Sequence, residues 1–246
     1  MTVTQSEAIL NDVVITFEKK NYLDAIRSGF VLIFSATMIS TLATQFLDSK
    51  IEKIISSQNG LSPMIWIWGF LSLMTAILFP LLQSLLCSFY LSKNFLPEKK
   101  FSTFLKSHTE LSLIETLRSW GKAFLWCFAF IIPGLIKYSY YLLAPYIVVF
   151  SKMYQLGDID ALNYSEKIFK KYWAYFSVQL FIFYFLFPAL LSVIVDEYRQ
   201  LNLHPLSAAF SVALEALIIL FFHYLIFKKL FFYLQNEKDL NYATDV

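Results

Sequence analysis

Four long apolar runs constrain this chain more than any other feature in it: residues 28–46, 64–91, 172–195 and 206–227. A helix rises 1.5 Å per residue, so about 20 apolar residues cover the ~30 Å of hydrocarbon in a bilayer. Each run is near that length or beyond it. Hydrocarbon offers the backbone no water, so a crossing segment must satisfy its own N–H and C=O groups, and a helix does so within one segment. Composition agrees, because 58% hydrophobic and 19% aromatic residues against 15% charged lie far from the balance of a soluble domain. The expected class is an all-α, polytopic integral membrane protein, with residues 1–246 forming a single membrane domain.

Between the second and third runs lies 120–150, apolar but interrupted by Pro133-Gly134, Lys137 and Pro145. It is too long for one upright helix, and each proline removes a helical donor. Lysine and arginine accumulate on the cytoplasmic side of short loops, which arbitrates between one crossing and a hairpin. With 120–136 and 138–150 as arms turning near Lys137, sixteen of the twenty basic residues share the side of the N-terminus. Lys50, Lys53, Lys137 and Arg199 lie opposite. A single crossing would leave ten against nine, with Lys137 stranded in the membrane. The hairpin therefore prevails, giving about six transmembrane helices and both termini in the cytoplasm. Its second arm is short of spanning length, so full crossing, tilt and re-entry stay open. Exposed carbonyls around Pro133-Gly134 and Pro145 would be costly in lipid, so this segment is expected among the other helices or beside a wet cavity.

Residues 1–27 carry Glu7, Asp12, Glu18 and Asp24 and do not resemble a short basic leader. Ile9, Leu10, Val13, Val14 and Phe17 share one helical face, which suits a cytoplasmic amphipathic helix on the membrane surface or on the protein's own base. Between Pro97 and Arg118 the apolar positions share no single face, which predicts two short helices breaking near Ser107-His108. Chemistry-bearing residues are sparse. Cys87 and Cys127 sit inside apolar runs, His108, His204 and His223 have no partner at ligand spacing, and no glycine-rich phosphate loop or nucleophile elbow is present. No catalytic residue, metal, cofactor or nucleic-acid partner is expected, and the chain is read as a non-enzyme.

The last run holds the expensive groups. Glu215 lies near its middle and His223 two turns further on, roughly 80° round the helix. An ionised carboxylate at the bilayer centre costs a few kcal/mol or more, so Glu215 is expected to be protonated, paired or beside water. Lys122, Lys137 and His223 are its candidate partners. An internal clasp and a role in proton or substrate handling are both open.

A further constellation begins at Ser119-Trp120-Gly121-Lys122 and continues through Ile132-Pro133-Gly134-Leu135-Ile136-Lys137, Tyr140, Pro145-Tyr146, Ala161, Ser165 and Trp173. Over 119–176 this order resembles the bacterial YciC-like family of polytopic membrane proteins and the membrane domain sometimes fused to glycerophosphodiester phosphodiesterases. An acidic Asn-Pro turn and a glycine shortly before the Trp, both usual there, are missing. The resemblance implies a six-helix membrane fold in a bacterial inner membrane and transfers no reaction. Pro133, Gly134 and Pro145 are expected to shape the turn, with Lys137 carried to the outer interface. Tyr138, Tyr140, Tyr141, Tyr146 and Trp173 would be interfacial aromatics, and Lys137 with its tyrosines a possible site for an anionic headgroup. Two functions follow. The first is a non-enzymatic component that binds membrane lipids, a membrane protein partner or a second copy of itself in envelope assembly or homeostasis. The second is a small transporter or channel using the broken hairpin and Glu215.

Overall fold

The computed structural model describes residues 19–57, 63–93, 100–190 and 205–240. Among these residues every regular element is helical, and five helices are long and apolar enough to cross a membrane: Tyr22–Ser56, Pro63–Ser92, Ile131–Phe150, Trp173–Leu190 and Pro205–Asn236. The amphipathic helix expected at 9–17, His204 and the end of the third run at 191–195 lie outside the described residues. Residues 19–27 form no separate surface helix, because α1 runs unbroken over Lys19–Ser56.

α1 and α2 (Pro63–Ser92) pair along their length. Small residues allow the approach: Ala25, Gly29 and Ala36 are buried on α1, and a side chain at Gly29 would fall onto the Tyr90 ring. Close backbones are how helices associate where no hydrophobic force separates lipid from leucine. Hydroxyls in these helices turn back on their own backbone, as Thr37 does on the Ile33 carbonyl at 2.9 Å, so they need no water. Gln83 Nε2 then donates to Thr37 Oγ1 at 3.2 Å, the polar stitch between the pair.

Exposure changes character along α2. Trp66, Ile67 and Phe70 are open, whereas Leu85, Leu86, Cys87 and Phe89 are buried. The last helix, α9 (Pro205–Asn236), repeats the pattern, with Leu206 and Phe210 exposed and Ile226, Phe227, Leu230 and Leu234 buried. Large contiguous apolar exposure marks a lipid-facing surface, and the buried halves gather into a helical base.

α3 is one helix over Phe101–Ala129, so the expected break near Ser107-His108 is not there. Ser107 and His108 are accommodated, the first by donating to the Phe104 carbonyl at 3.0 Å, the second by packing on the Phe104 ring at 4.8 Å. The buried face of α3 beyond Phe104 is Ser112, Glu115, Thr116, Ser119 and Ala123, spaced three and four apart, while Leu111, Ile114 and Leu117 point outward.

The chain reverses at Phe130, whose extended backbone (φ −158, ψ 137) ends α3 and caps α4 (Ile131–Tyr140). The turn expected near Lys137 is therefore seven residues earlier in the chain. Pro133 stands third in α4, where its missing N–H would have had no helical partner. Gly134 is buried where a Cβ would strike Cys127 Sγ and come within 2.8 Å of the Cys127 nitrogen, so it lets the two arms touch. After a turn at 141–143 the chain enters α5 (Ala144–Phe150), with Pro145 in its first turn; α5 is almost wholly buried. α6 (Lys152–Gln155), α7 (Ala161–Lys171) and α8 (Trp173–Leu180) follow. α8 continues into a π-helical segment, Phe181–Leu186.

The base is closed by two devices. Asp239, after α9, accepts from Ser151 Oγ and from the Met153 nitrogen at 2.6 Å each and is itself fully buried. α7 is tied to both feet of the hairpin: Arg118 to Asp160 at 2.7 Å and Lys137 to Glu166 at 3.1 Å. Lys137 thus lies beside Lys170, which also bonds Glu166 at 2.8 Å, and not on the opposite face of the membrane from it.

Candidate functional site: a cavity where helices lose their regularity

A cavity of about 440 Å³ opens where α2, α3, the α4–α5 turn, the π segment and α9 meet. Three irregularities converge on it. Pro80, inside α2, can donate nothing to the Ala76 carbonyl, and both residues line the cavity. The α4–α5 turn presents Tyr141, Leu142 and Pro145. The third is the π segment, which precedes Pro188 and offers Phe183 and Tyr184. Pro188 lacks an N–H and its ring crowds the carbonyl four residues back, at Tyr184; the Phe187 N–H bonds Ile182 instead, five residues away. Irregular backbone at membrane depth is tolerated where it is buried in protein or faces a wet cavity.

The polar lining is neutral. Ser84, Thr116 and Ser119 each donate to a carbonyl of their own helix at 2.7 Å, which leaves their oxygens able to accept. His223 Nδ1 is 2.7 Å from the Ile219 carbonyl. A carbonyl only accepts, so Nδ1 carries the proton, and in the neutral ring Nε2 is left as an acceptor. The imidazole is edge-on to Tyr146 and Phe222, with ring centroids 5.9 and 5.6 Å away. Trp120, Tyr138, Tyr141 and Tyr184 add an apolar body with a donor at its tip. Among the described residues no carboxylate, lysine or arginine lines the cavity. Among the described residues no group of His, Cys, Asp and Glu is arranged to hold a metal.

Of the residues singled out in the sequence, His223, Tyr138, Tyr141, Tyr146 and Pro145 meet here. Glu215 does not line the cavity; it is half-buried one turn nearer the start of α9 than Ile218. Lys122 is exposed on α3, Trp173 is 65% exposed at the start of α8, and Pro133 and Gly134 belong to the hairpin tip. Lys137 packs between the Tyr140 and Tyr141 rings, 5.5 and 5.9 Å from their centroids, and pairs with Glu166 and not with Glu215. Sequence reasoning missed Trp120, Thr116, Ser119 and the π segment as site elements. Pro188 inside an otherwise continuous apolar run was the signal that could have found the last of these.

The polar cluster at the hairpin feet has its own electrostatics. Burial would raise Asp160, but hydrogen bonds from Arg118 and the Asn163 nitrogen, with the Arg118 charge, hold it below its ordinary value. Glu166 is likewise held low, since Lys170 and Lys137 outweigh burial. Burial and then the Glu115 charge push Tyr154 up to about 12. Ser165 donates to the Tyr140 carbonyl at 2.6 Å and accepts from the Leu143 nitrogen at 3.1 Å, closing the backbone of the α4–α5 turn.

Comparison with protein families, curated proteins and solved structures returned no match.

Proposed function

We propose that this protein is a non-enzymatic integral membrane protein of a bacterial inner membrane that holds a membrane lipid in the cavity between α2, α3, α5, the π segment and α9. The observation that carries the reading is the cavity's chemistry: aromatic walls, hydroxyl and imidazole acceptors, and, among the described residues, no carboxylate, lysine or arginine on the lining. Its volume of about 440 Å³ falls within the usual range for ligand sites, about 300–1,000 Å³. Tyr184 is 54% exposed on the π segment, which puts part of the lining on the outer surface, where a lipid can approach from the side. The basic residues around α7 and the end of α9, with lysines over the Tyr172 and Tyr233 rings, support a cytoplasmic base carrying both chain ends.

Ala76→Trp tests the lipid reading, since Ala76 is an exposed lining residue and can be enlarged without entering the core. The expected result is a severalfold drop in lipid retained per protein after purification, measured by mass spectrometry, at unchanged melting temperature. Full retention with the cavity filled would refute it.

A further inference from the structure

We infer that residues 123–136 form a membrane-dipping hairpin that enters one leaflet from the side of the base and returns, its occupant being the hydrocarbon of that leaflet. Every residue from Ala123 to Ile136 is apolar, and the segment is bracketed by Lys122 and Lys137. Phe130, where the chain reverses, stands midway between the two lysines. Each arm therefore has about seven residues and a reach of ~10 Å, less than the ~15 Å of hydrocarbon in one leaflet.

The tip is built for lipid. Phe124, Leu125, Phe128, Phe130, Ile131 and Ile132 are 62–76% exposed, an apolar surface left open among the described residues. At the reversal the backbone of Phe130 itself is satisfied internally: its N–H bonds the Trp126 carbonyl at 3.0 Å and its carbonyl accepts from Gly134 at 3.3 Å. Pro133 removes one more first-turn donor.

Both feet stand on the same side. Arg118 and Lys137 are each ion-paired to α7, an 11-residue helix, so they cannot face opposite surfaces of a bilayer. Exposed cations at the feet, Lys122 and Lys170, suit anionic headgroups around the point of entry. The stretch Ile131–Phe150, long and apolar enough to cross, is divided between the dip in α4 and the buried α5. Four crossings remain, by α1, α2, α8 with the π segment, and α9, and among the described residues the far side keeps Lys50 and Lys53. This inference does not depend on what the cavity holds.

Single cysteines test it in the full-length chain, with Cys87 and Cys127 replaced by alanine, in sealed membrane vesicles of both orientations. The probe is a membrane-impermeant maleimide. Lys122→Cys and Lys137→Cys are expected to react from the same side as Lys170→Cys, and Phe130→Cys from neither. Ser139→Cys repeats the reading for α4 with the Lys137 ion pair intact. Reaction of the two feet from opposite sides, reaction of Phe130→Cys from the far side, or silence of both feet overturns the proposal.

Discussion

Gly134 shows how much one missing methyl can matter. Alanine in a helix interior ordinarily gains about 0.5–1 kcal/mol over glycine. Here the added carbon would meet Cys127, including its backbone nitrogen at 2.8 Å, and backbone cannot swing aside as a side-chain tip can. Overpacking of this kind costs about 1–3 kcal/mol, so the clash wins over propensity. Gly134→Ala is expected to lower the melting temperature of the purified protein, and to do so less when combined with Cys127→Ala, because the two changes share one contact. Single residues were also where the sequence was most legible. The Pro-Gly pair, Pro145, Ser165 and the tyrosines were recognised as a unit, and the structure gives most of them a mechanical role in one reversal and one turn. Lys137 was given the wrong neighbourhood because its partner, Glu166, is 29 residues away, beyond the reach of any local pattern.

At the level of elements, the π segment makes the clearest demand on Pro188. Removing that proline restores an N–H and relieves the crowding at the Tyr184 carbonyl, so the segment is expected to return to α geometry. Each residue shifted in register turns by about 100°, which would carry Phe183 and Tyr184 away from the cavity. Pro188→Ala should then raise the melting temperature, since proline is disfavoured inside a helix by ~3 kcal/mol, and at the same time reduce retained lipid. Opposite signs separate this outcome from simple unfolding. The four long runs were legible because a hydrocarbon solvent demands length and apolarity. α3 was not, for the same reason: beyond Phe104 its buried positions are mostly serine, threonine and glutamate while Leu111, Ile114 and Leu117 face out, so its apolar positions share no single face and read as two fragments where one helix stands. The reversal at Phe130 was equally silent, since the chain bends there without glycine or proline at the bend itself.

Across the whole molecule, α7 joins the base to the hairpin through carboxylates that are held ionised. Asp160 and Glu166 sit below their ordinary values of 3.8 and 4.5. A depressed carboxylate adds stability above its unfolded value and loses it as the pH falls through its folded value. The clamp should therefore be constant from neutrality to about pH 5 and weaken below about pH 4. Both pairs are partly exposed, so each contributes only about 0–1 kcal/mol, and the expected sign is local. Hydrogen exchange in α7 should accelerate on acidification, with α1 and α2 unchanged, and Glu166→Gln should flatten part of that response. Architecture at this scale was legible in its class, all-helical with several long apolar helices. The count of crossings is not fixed by the sequence pattern, because an apolar stretch reads alike whether it crosses, dips or is buried within the base.

Lys137 finds its counter-charge 29 residues further along the chain, and Arg118, already paired with Glu115 on its own helix at 2.6 Å, finds a second one 42 residues on. A ribosome adding about 5–20 residues per second delivers the greasy loop seconds before the helix that fastens it. Synthesis order thus imposes a waiting period in which Lys137 has not yet met Glu166, and the fold can lock only once the later helix has been made.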